Sequence, residues 1–138
     1  YRWFEMKYLI GFLLVAVAAG ISAYVRLMPI SPTAVTQNYV TDTDLPGGFV
    51  AVREFSGNSS DALARVKAIA LATPRTVRVA QNPLTFVTRS AGFGFPDITQ
   101  VMIQNDKLII HAHLVYGKSD LGVNKTRVFE WLDAIGPL

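Results

Sequence analysis

Hydrophobic and polar positions divide the chain into three stretches of different character. From Tyr8 to Val25 the sequence YLIGFLLVAVAAGISAYV runs for 18 residues without a charge, bounded by Lys7 and Arg26. At about 1.5 Å per helical residue this run covers about 27 Å, close to the thickness of a bilayer's hydrocarbon core. Tyr1, Trp3, Tyr8 and Tyr24 stand near its ends, where aromatic rings favour the headgroup region, and Arg2, Lys7 and Arg26 can reach outward. The pattern predicts a membrane anchor over residues 1–26. A cleaved signal peptide is the competing reading, because a basic start, an apolar centre and Ala16-Val17-Ala18 also fit one.

The second stretch, 27–48, has no regular period. Pro29, Pro32 and Pro46 bias the chain to extended conformations, four threonines separate them, and Gly47-Gly48 ends the segment in a turn. It reads as an extended tether. Residues 49–138 then alternate between the periods of strand and helix and predict one small domain. Phe49–Phe55 is a strand. A helix follows, capped by Ser59 or Ser60 and carrying Leu63, Val66, Ile69 and Ala70 on one stripe, with Pro74 ending it. Thr76–Ala80 and Leu84–Thr88 form a hairpin about Asn82-Pro83, and Ile98–Gln104 and Lys107–Tyr116 form another about Asn105-Asp106. The last of these strands is apolar on both faces, so it belongs in the middle of the sheet, covered by helix on one side. A closing helix buries Val128, Trp131, Leu132 and Ile135. The expected class is α+β: an N-terminal transmembrane helix, then a small antiparallel sheet with helices packed on one face.

Charge changes the picture once it is divided. The chain carries 13 Lys/Arg against 10 Asp/Glu and has a pI near 9.4, but from residue 40 onward the count is 10 against 9. The basic excess belongs to the flanks of the apolar run, so the domain has no electrostatic footprint for nucleic acid. Arg2 and Lys7 on one side against Arg26 on the other place the N-terminus in the cytoplasm and the domain in the periplasm of a bacterial inner membrane. The absence of cysteine is compatible with that compartment.

Candidate chemistry is sparse. Gly117-Lys118-Ser119 matches the end of a phosphate-binding loop, but the glycine needed five positions earlier is Ala112. His111 and His113 share a strand face at a spacing that suits two metal ligands, and a third would have to be a carboxylate such as Asp97 or Asp120. Asp120, Gly122 and Asn124 resemble a fragment of a calcium loop, yet Ser119, Asp120 and Asn124 serve better as caps of the closing helix. No serine elbow or catalytic carboxylate pair stands out, so no catalytic residue, metal or cofactor is assigned. In the apolar run, Ala16 with Gly20 and Ala19 with Ala23 form a small-residue face that lets transmembrane helices approach closely.

The run GKSDLGVNKTRVFEWLDAI (Gly117–Ile135), with Gly94-Phe95-Pro96-Asp97 upstream and YVRLMPISP (Tyr24–Pro32) in the tether, resembles the bacterial domain-of-unknown-function family 1499, in its membrane-anchored α-proteobacterial form. The resemblance marks Gly94, Phe95, Pro96, Asp97, Gly117, Ser119, Asp120, Gly122, Asn124 and Arg127 as characteristic positions. Where members have a polar, Arg/Ser-rich strand before the glycine, this chain has His111-Ala112-His113-Leu114-Val115.

Three functions follow as expectations. The first is a non-catalytic accessory subunit of a larger integral membrane complex, respiratory or photosynthetic, with its helix in the lipid bilayer and its domain docked on the periplasmic side. The second is a periplasmic binding module for a lipid or small anion. Its pocket would be lined by Phe93, Phe95, Tyr116 and the loop Lys118–Asn124, including Ser119 and Asp120, with Asp97 nearby and Arg89 or Arg127 as the anion partner. The third is a hydrolase or metal-dependent enzyme built on His111, His113, Asp97 and Asp120.

Overall fold

The computed structural model describes residues 1–138. The apolar run lies inside a single helix, α1 (Arg2–Leu27), the one helix long and apolar enough to cross a membrane. Nearly all of it is uncovered by the rest of the chain, and only Val25 in its last turn is buried.

The remaining chain forms a six-stranded sheet of β1 (Thr43–Leu45), β2 (Gly48–Arg53), β3 (Thr76–Gln81), β4 (Leu84–Arg89), β5 (Pro96–Gln104) and β6 (Lys107–Leu114). Every neighbouring pair is antiparallel, in the spatial order β1-β2-β6-β5-β4-β3. Two helices, α2 (Ser59–Ala72) and α3 (Val123–Ile135), cover one face. The α+β architecture expected from periodicity is the architecture observed. β1 is an addition: the Pro/Thr-rich stretch ends in a short edge strand, paired Thr43 to Val50, before the Gly47-Gly48 turn.

The helix-side core joins Phe49, Ala51, Phe86, Val101, Leu108 and Ile110 of the sheet to Val66, Ala70, Val128 and Trp131 of the helices. Trp131 meets Phe86 edge-on at 6.0 Å, and its Nε1 donates to Thr73 Oγ1 at 2.9 Å, satisfying the one polar atom of the buried indole. The cap of α2 falls one residue earlier than Ser59: Asn58 Oδ1 accepts the Asp61 amide at 2.8 Å.

The opposite face is covered by the segment read as a tether. Tyr39 is buried there against Val50 and Ile109, with Val35 and Met102 alongside, and Gln104 Nε2 donates to the Gln37 carbonyl at 3.3 Å. This second layer explains why β6 is apolar on both sides: helices cover Leu108, Ile110 and Ala112, while the extended chain covers Ile109.

Gly48 is fixed by close approach. A methyl group there would overlap the Ala112 carbonyl and press on His113 Cα at 3.1 Å. Because the obstruction is backbone of the central strand, Gly48→Ala is expected to cost about 2 kcal/mol. A urea titration monitored by Trp131 fluorescence checks this.

Candidate functional site

Four turns share the end of the sheet where β4 finishes, β5 begins and β6 finishes, and the positions of the family signature gather there. Asp97, the second residue of β5, stands opposite Leu114 of β6, on the helix-covered face. Arg127, one turn into α3, donates from Nη2 to Asp97 Oδ2 at 3.2 Å and from Nη1 to Asn124 Oδ1 at 2.8 Å. Both members of the ion pair are largely withdrawn from solvent, with side chains 12% and 17% exposed.

Asp120 organises the start of α3. Its Oδ1 accepts the Gly122 amide at 3.0 Å and its Oδ2 the Asn124 amide at 2.9 Å, while Ser119 Oγ accepts the Leu121 amide at 3.2 Å. Of the three residues expected to cap α3, only Asp120 reaches an amide of the helix, that of Asn124; Ser119 closes a turn before the helix, Gly122 holds the N-cap position, and Asn124 lies within the helix. Gly122 adopts φ +77° at the junction, a conformation favourable for glycine.

The carboxylates respond to these surroundings in opposite directions. Burial raises the Asp97 pKa; the Arg127 charge opposes the shift without cancelling it, and the nearby Asp120 charge adds to it. Burial alone would raise Asp120 too, but the amides it accepts hold it below the ordinary carboxylate range. Between them the side-chain nitrogen of Asn124, Nδ2, is buried and closes no hydrogen bond. The cluster holds two acidic groups and one guanidinium. At neutral pH it is not cationic, and an incoming anion would meet two carboxylates.

Arg89 is engaged elsewhere. Its Nη1 donates to the Val25 carbonyl at 3.2 Å and to the Gly94 carbonyl at 2.9 Å, which ties the last turn of α1 to the loop before β5. Arg26 Nη2 donates to the Gly92 carbonyl at 2.9 Å, and Ser22 Oγ donates to the Phe93 carbonyl at 3.1 Å. Three successive carbonyls, of residues 92, 93 and 94, thus receive Arg26, Ser22 and Arg89. Gly92 and Gly94 both adopt φ +79°, and a methyl on Gly94 would lie 2.6 Å from Arg26 Cζ. Sequence reading did not find this junction. The signal available was the Gly-Phe-Gly spacing, which lets a loop present consecutive carbonyls in one direction.

Phe95 and Tyr116 meet at 6.5 Å between ring centres, and Phe93 stacks obliquely on Phe95 at 5.8 Å, with all three rings part-exposed. Lys118 is exposed beyond them. A groove of about 450 Å³ lies elsewhere, between α2 and the β3–β4 turn, bordered by Ser60, Leu63, Lys67, Asn82 and Ile103.

His111 and His113 project from the opposite face of the sheet from Asp97. His111 packs near Tyr39 at 5.9 Å between rings and His113 at 5.2 Å, and no group of three metal-ligating side chains forms around them. The sheet therefore separates the four residues of the enzyme reading into two sets. Burial, reinforced by the His113 charge, lowers the His111 pKa from 6.5 to about 4.

The unfolded chain takes up this proton near its ordinary value and the folded chain only near 4, so stability falls as pH drops through that window and is flat above it. The expected loss is about 1–2 kcal/mol, less than the full linkage value because the ring is partly in contact with solvent. Urea midpoints measured across pH 4–7 should show this slope in the parent and a flatter one in His111→Leu.

No curated protein and no solved structure matches the chain. A family model described as "Protein of unknown function (DUF1499)" matches residues 25–135, which span the last turn of α1, the sheet, both packed helices and the Asp97–Arg127 cluster. The chain belongs to the DUF1499 family.

Proposed function

We propose that this protein is a non-catalytic accessory subunit of a larger bacterial inner-membrane complex, with α1 packing in the bilayer against a bigger partner and the domain held on the periplasmic side. The observation that carries this reading is the contrast along α1. Its last turn is fastened to the domain through Arg89, Arg26 and Ser22, while the face bearing Ala16, Ala19, Gly20 and Ala23 is left uncovered by its own chain. A tail that served only as a leash would need no such fastening. A helix that must hold a domain in a fixed pose over a partner does, and small residues let that helix lie close to another.

The charge of the flanks supports the orientation, with Arg2 and Lys7 on the cytoplasmic side. The use of Arg127, Asp97, Asp120 and Arg89 in internal bonds also supports a structural role. The lipid- or anion-binding alternative has weaker support, because both candidate arginines already have partners within the chain.

Purification from native membranes in a mild detergent, followed by mass spectrometry, tests the proposal. A larger integral membrane protein should co-purify at a fixed ratio, and Gly20→Leu should weaken the association. Recovery of the chain alone would overturn it.

A further inference from the structure

The two ends of the sheet differ in composition as well as in fold. The end reached by α1 exposes Phe93, Phe95, Val115, Tyr116, Leu121 and Val123. At the other end, the turns at 54–58, 81–83 and 105–106 expose no large apolar side chain, and Glu54 and Asp106 stand there instead. The apolar end also presents exposed Lys118 and Arg75, while the acids at this end, Asp97 and Asp120, are taken up by Arg127 and by the amides at the start of α3.

Leu121 is the sharpest case. It is 92% exposed, makes no part of either core, and is held at φ +54°, a backbone conformation uncommon for a leucine. In water this position would combine exposed apolar surface with local strain and gain nothing from either. Phe93 adds a further constraint, since its own carbonyl is bonded to Ser22 in the last turns of α1. A loop fastened there cannot be far from the membrane surface if α1 crosses it.

We infer that the loops 91–95 and 115–121 rest in the interfacial layer of the same bilayer that α1 crosses, with Phe93 and Leu121 inserted among lipid chains and Lys118 on anionic headgroups. This depends on α1 being a retained membrane anchor. It does not depend on the host complex. Amphipathic aromatic rings and basic side chains are the groups that favour the interface, and the rings of Phe93, Phe95 and Tyr116 follow one another from the point where Ser22 of the emerging helix is bonded.

The chain contains no cysteine, so single-cysteine spin labels report cleanly. Full-length Leu13→Cys, Phe93→Cys, Leu121→Cys and Glu54→Cys are labelled and reconstituted into vesicles of phosphatidylethanolamine and phosphatidylglycerol, with no other protein present. Accessibility to oxygen relative to a water-soluble nickel chelate is then measured at each site. Labels at 13, 93 and 121 should show a ratio several-fold above that at 54, and Lys118→Glu should lower the ratio at 121. A label immersed at 13 with those at 93 or 121 as aqueous as 54 overturns the interfacial contact and leaves the anchor standing. An aqueous label at 13 overturns the anchor and the contact together.

Discussion

Replacing Arg127 by Met is expected to destabilise the folded domain by about 3 kcal/mol, because it leaves the Asp97 carboxylate buried without its counter-charge. The same substitution removes the donor to Asn124 Oδ1, whose amide nitrogen already lacks a partner. The loss should depend on pH in a definite direction. Asp97 has a raised pKa in the folded state, so protonating it relieves the unpaired charge, and the penalty should shrink as pH falls through that value. The double variant Arg127→Met, Asp97→Leu should recover most of the loss, since two apolar side chains can replace a buried pair at small cost. Urea titrations of the four members of this cycle measure the coupling. An arginine kept free for a ligand would give the opposite result, with little change in stability on its removal.

Arg89→Ala is expected to have its effect at the junction rather than in the core. The guanidinium donates to the carbonyl of Val25, one of the groups a helix leaves unsatisfied at its C-terminal end, and to the carbonyl of Gly94. Two hydrogen bonds from a charged donor contribute about 3 kcal/mol to holding α1 against the loop. Without them Arg26, Ser22 and the burial of Val25 must hold the helix. Electron-spin distance measurements between labels at Leu13→Cys and Glu54→Cys should give one narrow distribution in the parent and a several-fold broader one in Arg89→Ala. The urea midpoint of the domain should change little.

Periodicity made the α+β class legible, because the strands and helices carry clean periods of two and 3.6 residues and the turns between them are marked by Asn, Asp, Gly and Pro. The stretch before Gly48 was harder to read. Tyr39 and Val35 are isolated apolar residues among prolines and threonines, and nothing local shows that the sheet has an uncovered face awaiting them. β1 was missed for the same reason, since a three-residue edge strand has no period of its own.

Family resemblance marked Asp97, Asp120, Asn124 and Arg127, and the fold brings them together. It could not say that their bonds point inward. The junction was hidden more deeply, because Ser22 and Arg26 lie 66 or more residues before the Phe93 and Gly92 carbonyls they meet, and one of them sits inside an apolar run that reads as lipid-facing throughout. Contacts across such a separation are set by topology, and single-sequence periods do not carry it.

In the proposed assembly α1 lies against a larger membrane protein through its small-residue face. The most direct measurement is photo-crosslinking in living cells, with a photoreactive amino acid placed in turn at each position from Phe12 to Tyr24. Adducts to one larger integral membrane protein are expected at Ala16, Ala19, Gly20 and Ala23, with helical spacing, and none on the opposite face at Leu14, Ile21 and neighbouring positions. Adducts to lipid alone at every position, with no protein partner on either face, would contradict it.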